Sequence, residues 1–277
     1  HALHDAGLGG LLADDMGLGK TVQVLAFLDA LPLSPAAPAL VVAPRSVVDN
    51  WVDEAARFAP RLRVARHLGA DRPDDAAALA PATVVITSYQ TLVRDLPLFR
   101  TIAWTTVIFD EAQALKNPDT QLRGAAVALA ARSRFAVTGT PIENHLGELW
   151  ALFDLVNPGM LGTAEEFKSS FRVPIELHGE GRRLDALRER VRPYMMRRTK
   201  ESVAKELPPK TEIVRAIDLS GAQRELYEGL RMAAHAEVRQ QIRERGIGGS
   251  QIAILDALLK LRQVCCDPRL VGVDAAK

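Results

Sequence analysis

The sequence predicts a doubly wound α/β protein, a parallel sheet flanked by helices, with a mainly helical C-terminal extension. Three observations carry that expectation. Leu11-Leu12-Ala13, Leu40-Val41-Val42, Val84-Val85-Ile86, Val107-Ile108-Phe109 and Phe135-Ala136-Val137 are apolar at every position, as strands buried on both faces must be. Segments of helical patterning lie between these runs, the alternation expected of a parallel sheet. Each run then gives way to polar residues, and open α/β sheets bind ligands beyond the carboxyl ends of their strands.

Taken in order, the first run leads into Asp14 and Asp15 and a helix over 22–31. The second leads into Pro44, Arg45 and Ser46 and a helix over 47–58. The third ends in Thr87, Ser88 and Tyr89, and the fourth in Asp110 and Glu111, with a helix over 122–131 to follow. The fifth ends in Thr138, Gly139 and Thr140. Leu149, Trp150, Phe153 and Val156 have the spacing of a core-facing helix. Past residue 160 proline and glycine interrupt the helical pattern, and residues 182–200 carry eight basic side chains against two acidic ones. That run reads equally as a nucleic-acid surface and as a solvated or docking helical face. The prolines at 208 and 209 mark a turn, and the alternation over 213–217 predicts a half-buried strand. Ser220 is placed to cap a long helix over 222–243. A glycine-rich break over 245–251 and an amphipathic helix over 252–264 complete the chain. Three parts result: 1–160, 161–207 with the basic run, and 208–277.

At 277 residues and 48% hydrophobic content the chain can bury a large core. A formal net charge of +1 means that any attraction to nucleic acid comes from a local patch. Cys265 and Cys266 are adjacent, a spacing that suits neither a disulfide nor a zinc site and fits a reduced, intracellular protein. The sequence shows no signal peptide and no apolar run of membrane-spanning length. It opens on His1 without an initiator methionine, which suggests a domain of a longer polypeptide.

The chemistry concentrates in two stretches. In "DDMGLGKT", the backbone of Asp15, Met16, Gly17, Leu18 and Gly19 would wrap an anion, because glycine permits positive φ and close approach of N–H groups to phosphate oxygens. A helix starting at Lys20 adds its positive end. Lys20 suits the β- and γ-phosphates of a nucleotide, and the Thr21 hydroxyl suits Mg²⁺. The common phosphate-loop pattern has glycine where this chain has Asp14. In "VIFDEAQ", a buried strand ends in two carboxylates, which is unfavourable unless they meet a cation or hydrogen-bond donors. Asp110 is placed for the metal, and Glu111 for orienting and deprotonating the attacking water. A glycine-rich turn with an incidental lysine, and an acidic pair capping a helix, are the alternatives for each stretch alone. Together they point to a Mg²⁺-dependent nucleotide triphosphatase.

Five stretches in order, "ADDMGLGKT", "APRSVVDNW", "ITSYQTL", "FDEAQALKNP" and "VTGTPIENHLGELWALFDLVNPG", resemble motifs I, Ia, Ib, II and III of the Swi/Snf family of superfamily-two helicase-like ATPases. "MMRRTKESVAKELPPKTE" and "LRQVCCDPRL" resemble later blocks of its bacterial members. An acidic residue at the position of Asp14 is usual in that family. The resemblance implies a RecA-like ATP-binding lobe over 1–160, and a motor that moves on double-stranded DNA with ATP held between two such lobes. It assigns Gly17, Gly19, Lys20 and Thr21 to phosphate and metal, and Asp110 and Glu111 to metal and water. Gln113 stands where many relatives have histidine; glutamine there is common in bacterial members, so the resemblance does not imply inactivation. Arg45, Ser46, Ser88, Tyr89, Lys116 and Asn117 match segments that contact the DNA backbone without reading sequence. Thr138, Gly139 and Thr140 match the segment that couples nucleotide state to DNA.

The resemblance also implies a second RecA-like lobe after residue 277 and paired arginines of motif VI, which no segment of this chain resembles. An arginine finger is worth about 10³ to 10⁵ in rate, so the chain by itself is expected to hydrolyse ATP hardly at all. The expected location is cytoplasmic, on the nucleoid when bound to DNA, with no membrane partner. A kinase or switch protein leaves residues 44–51 and 137–150 without a role. A non-hydrolysing regulatory or protein-binding module leaves the joint presence of Lys20, Thr21, Asp110 and Glu111 unexplained.

Overall fold

Seven strands form one parallel sheet: β1 (Gly10–Leu12), β2 (Ala39–Ala43), β3 (Val64–His67), β4 (Val84–Ser88), β5 (Trp104–Asp110), β6 (Ala131–Val137) and β7 (Met195–Met196), in the order β3-β4-β2-β5-β6-β1-β7. The structure is a computed structural model that describes residues 1–203, 213–219 and 221–272. The chain divides into two compact units, His1–Pro208 and Pro209–Lys277.

Alternation within each strand sends neighbouring side chains to opposite faces. Leu40, Val42, Val107 and Phe109 enter one core with Leu92, Leu152 and Phe153. Val41, Ile86 and Ile108 enter the other with Leu25, Leu28 and Trp51. Both faces of these runs are buried in apolar clusters, which is why the runs read as continuous. Leu149, Phe153 and Val156 are buried on the helix Leu146–Val156, and the indole of Trp150 donates to the Gly162 carbonyl (3.0 Å).

The ladder register aligns the strand ends. Leu12 lies opposite Val137, Val137 opposite Asp110, Phe109 opposite Val42, and Ala43 opposite Ser88. The polar residues that follow each strand therefore share one edge of the sheet. At the opposite end, β1 is entered through Gly9, bracketed by Asn157: Gly9 N–H donates to Oδ1 (2.8 Å), and Nδ2 donates to the Gly9 carbonyl (2.9 Å).

Several expectations are corrected. The helix expected over 122–131 ends at Val127, because Ala131 already pairs with Trp104 in the sheet. Strands β3 and β7 were not foreseen: β3 is a half-buried edge, and β7 has two residues. The segment 213–219 forms no strand, and Ile213, Val214 and Ile217 are exposed. Alternation stabilises a strand only where a neighbouring strand and a buried face exist, and among the described residues nothing pairs with it. The expected break over 245–251 narrows to a kink at Gly246 (φ 70°, ψ 174°) inside the span Gly221–Gly249, before the helix Gln251–Cys266. Cys265 and Cys266 are exposed at its end. The turn over 207–210 and the Ser220 cap lie outside the described residues.

Residues of the basic run do more than face solvent. The helix Gly181–Val191 buries Leu187 and Val191 in the first unit's core beside Phe167 and Phe171, and the chain then returns to the sheet as β7. Among the described residues no helix is long and apolar enough to cross a membrane.

Candidate active site

The loop after β1 turns on two glycines with positive φ, Gly17 (84°) and Gly19 (71°), the latter preceding the helix Lys20–Asp29. Positive φ is accessible to glycine without the clash a Cβ would bring. The glycine turn thus runs directly into the N-terminus of this helix, the arrangement that binds phosphate. The Lys20 ammonium folds over the loop and donates to the carbonyls of Asp14 (2.9 Å) and Asp15 (3.4 Å). Met16 is exposed at the loop tip, and Leu18 accepts a hydrogen bond at its carbonyl from Gln23 (3.0 Å). The Thr21 side chain is half-buried on the first turn of the helix.

Asp14 is fully buried. Its carboxylate accepts from the Arg198 guanidinium (2.6 and 3.1 Å), from the Arg198 backbone N–H (2.8 Å) and from Gln23 (3.2 Å). Burial opposes its charge, but these donors outweigh burial and hold the carboxyl below the usual range. Asp15 is bonded to the same segment: its N–H donates to the Arg198 carbonyl (3.0 Å), and its carboxylate accepts from the Lys200 N–H (3.0 Å).

At the end of β5, Asp110 Oδ2 accepts from the Trp51 indole (2.8 Å) and Oδ1 from the Glu111 N–H (3.0 Å). Burial raises the Asp110 pKa above the ordinary carboxylate value, helped by nearby Glu111 and opposed by Trp51 and by the Lys20 charge. Among the described residues Glu111 is the one non-glycine residue with positive φ (48°). Backbone of this kind holds about 1–3 kcal/mol of strain, and it falls where β5 ends and a short helical turn begins. Gln113 bridges onward: Nε2 donates to Glu111 Oε2 (2.8 Å), and Oε1 accepts from the Thr138 hydroxyl (2.7 Å). Thr138 in turn accepts from the Thr140 N–H (3.1 Å). Gly139 sits against the phosphate loop, where a Cβ on it would lie 3.2 Å from Met16 Cγ and 3.6 Å from Lys20 Nζ. The four segments Asp15–Thr21, Trp51, Asp110–Gln113 and Thr138–Thr140 thus form one connected site.

The remaining expected residues divide. Arg45 and Ser46 are exposed on a short turn after β2, and Asn117 is exposed after Leu115. Ser88 is buried and caps the helix Tyr89–Arg94 by accepting from the Thr91 N–H (3.2 Å). Tyr89 is buried with its hydroxyl donating to the Asp110 carbonyl (2.7 Å), and burial beside two carboxylates raises its pKa well above the ordinary value, keeping it a donor. Lys116 is enclosed, donating to the Thr140 carbonyl (3.0 Å) and to Glu148 (2.9 Å). Burial opposes the Glu148 charge, yet Lys116, the N–H groups of Glu143 and Asn144, and the Asn144 amide hold its carboxyl at about 2. Ser88, Tyr89 and Lys116 therefore present no free side chain to a passing backbone; Ser88 caps its helix, Tyr89 holds the Asp110 carbonyl and Lys116 the Thr140 carbonyl.

Sequence reasoning missed Trp51, Arg198 and Glu148 as site residues. The basic run contained Arg198, but only the fold brings residue 198 to residue 14.

Among the described residues no three carboxylate, histidine or cysteine side chains gather into a metal cage. Mg²⁺ needs no such cage, since it keeps waters and takes one or two protein oxygens beside the phosphates of its nucleotide. Asp110 fits: each carboxylate oxygen receives one hydrogen bond and retains a lone pair, beside a loop shaped for phosphate.

Residues 1–270 match the family described as "SNF2-related domain". The chain is 39% identical to the putative ATP-dependent helicase/translocase YwqA of Bacillus subtilis, over 97% of this chain and 29% of that protein. It is 34% identical to the human chromatin-remodeling ATPase INO80, over 97% of this chain and 19% of that protein. Among solved structures, the Sulfolobus solfataricus SWI2/SNF2 ATPase core in complex with dsDNA superposes with a TM-score of 0.67 at 35% identity, covering 99% of this chain and 58% of that one. The chain thus spans under a third of these two relatives and little more than half of the solved core. Its parallel sheet is RecA-like, its motifs meet in one site, and the chain belongs to the SNF2-related family of helicase-like ATPases.

Proposed function

We propose that this chain is the first motor lobe of an ATP-dependent translocase or remodeller acting on double-stranded DNA. The observation that carries the reading is the unbroken path from Lys20 past Gly139 and Thr138 through Gln113 to Glu111 and Asp110. Lys20 leaves the Asp14 and Asp15 carbonyls for the β- and γ-phosphates, while the N–H groups of residues 16–20 hold the rest of the anion. Thr21 and Asp110 would hold Mg²⁺, which would supply charge neutralisation at the phosphates. Glu111, braced by Gln113, orients a water and takes its proton as the oxygen attacks γ-phosphorus. The bond to the β–γ bridging oxygen breaks, and ADP carries that oxygen away. Thr138 reads the position of Gln113 and passes it to the 138–140 loop.

Arg45, Ser46 and Asn117 are exposed beyond the strand ends and suit phosphate contacts that position a duplex without reading its sequence. The complex of the Sulfolobus relative with dsDNA supports that surface. The partners are then DNA and a second RecA-like lobe carrying the arginines that complete the ATP site. The cofactors are ATP and Mg²⁺, and the location is cytoplasmic, on the nucleoid when DNA-bound. This chain alone is nearly inactive as an ATPase.

ATPase rates with and without duplex DNA, on this chain and on one extended to the length of the relatives' ATPase core, test the reading. DNA-stimulated turnover in the extended protein, lost in Glu111→Gln, is the expected result. Turnover indifferent to both DNA and Glu111 overturns it, and absence of any turnover in the extended protein favours a non-hydrolysing module.

A further inference from the structure

The segment 195–200 runs along β1 and the phosphate loop, bonded at every second residue. Leu11 and Leu12 pair with Met195 and Met196, the Ala13 N–H donates to the Met196 carbonyl (2.7 Å), and Asp15 N–H to the Arg198 carbonyl (3.0 Å). The Asp14 and Asp15 carboxylates then hold the backbone N–H groups of Arg198 and Lys200 (2.8 and 3.0 Å). The consequence is the placement of one more cation. A Cβ built on Gly17 would lie 3.5 Å from both Cε and Nζ of Lys200, so this ammonium stands over the turn of the loop. Lys200 has no carboxylate partner among the described ion pairs, whereas Arg198 is committed to Asp14.

We propose that Lys200 is a second phosphate-binding cation of the loop 15–21, carried into place by the Arg198–Asp14 pair. The inference rests on the reading of this loop as an ATP site, and assigns to its phosphates a residue 180 positions from Lys20. Binding to phosphate and ordering of the segment 196–200 are then linked: an anion at Gly17 draws in Lys200, and displacement of the segment weakens the anion's hold.

The test uses the full chain with Mg·ATP and Mg·ADP, following affinity calorimetrically and amide exchange over 196–200. The exposed Lys200 can be replaced without disturbing the core. Lys200→Gln is expected to weaken Mg·ATP binding about tenfold, within the range of a charge-assisted hydrogen bond, and Lys200→Arg to restore most of it. Nucleotide should slow amide exchange over 196–200 in the wild type and not in Lys200→Gln. Arg198→Gln should weaken binding similarly while Lys200 remains present. Unchanged affinity in Lys200→Gln, alongside loss of binding in Lys20→Ala, overturns the inference and leaves the ATP site standing. A wild-type chain that binds no nucleotide overturns both.

Discussion

Glu148 is the residue on which the 138–148 loop hangs. It accepts from the buried Lys116 ammonium, two backbone N–H groups and the Asn144 amide. Its carboxyl titrates at about 2 in the fold against an ordinary 4.5, a gap worth about 3 kcal/mol. Because the folded-state pKa is the lower one, this stabilisation is complete above pH 4.5 and disappears as the pH falls towards 2. Glu148→Gln should therefore destabilise the first unit by about 3 kcal/mol at neutral pH, since it also leaves Lys116 only the more exposed Glu143, at 3.5 Å, as counter-charge. The difference from wild type in urea titrations should be flat between pH 5 and 8 and shrink below 4.5. A constant difference down to pH 2 would place the stabilisation elsewhere. Lys116 looked like a DNA contact from its position after the acidic motif; its partner lies 32 residues away, beyond what local sequence displays.

At the level of elements, the buried strands β1, β2, β4, β5 and β6 were legible because burial on both faces writes a continuous apolar run. β3 and β7 lacked that signature: β3 carries Arg66 and a His67 bonded to Asp95 (2.9 Å), and β7 exists only through pairing with β1. The P-loop and the acidic motif were legible because their spacing is local. Their connections through Trp51, Gln113 and Arg198 are long-range and were not. β1 illustrates how little sequence a necessary element needs: it has three residues, entered through Gly9 with no room for a side chain. A Cβ at Gly9 would meet the carbonyl oxygens of Arg134 at 2.2 Å and Val156 at 2.5 Å. Gly9→Ala should thus destabilise the first unit by more than about 3 kcal/mol, the range of severe core changes. Thermal unfolding measures it, and a shift of only a degree or two would mean that β1 relaxes freely.

For the whole molecule, net charge sets what the proposed contact with DNA can rest on. A net charge of +1 supplies no long-range field, so the proposed binding would depend on a few exposed groups such as Arg45. With few phosphate contacts, duplex binding by this chain should be no tighter than about 10⁻⁴ M at physiological salt and should weaken steeply as salt rises. A labelled duplex titrated at low and moderate salt checks this, and tight or sequence-selective binding would contradict it. The buried Trp51, whose indole N–H is bonded to Asp110, gives the site a voice of its own. The other two tryptophans, Trp104 and Trp150, donate to backbone carbonyls of Phe99 and Gly162, so only one of the three fluorophores is bonded to Asp110. In a Trp104→Phe, Trp150→Phe background the remaining emission should change in wavelength or intensity when Mg·ATP is added, and a silent spectrum would mean that Asp110 does not feel the ligand. Trp51 is thereby an optical gauge wired to the Asp110 carboxylate, readable without any label.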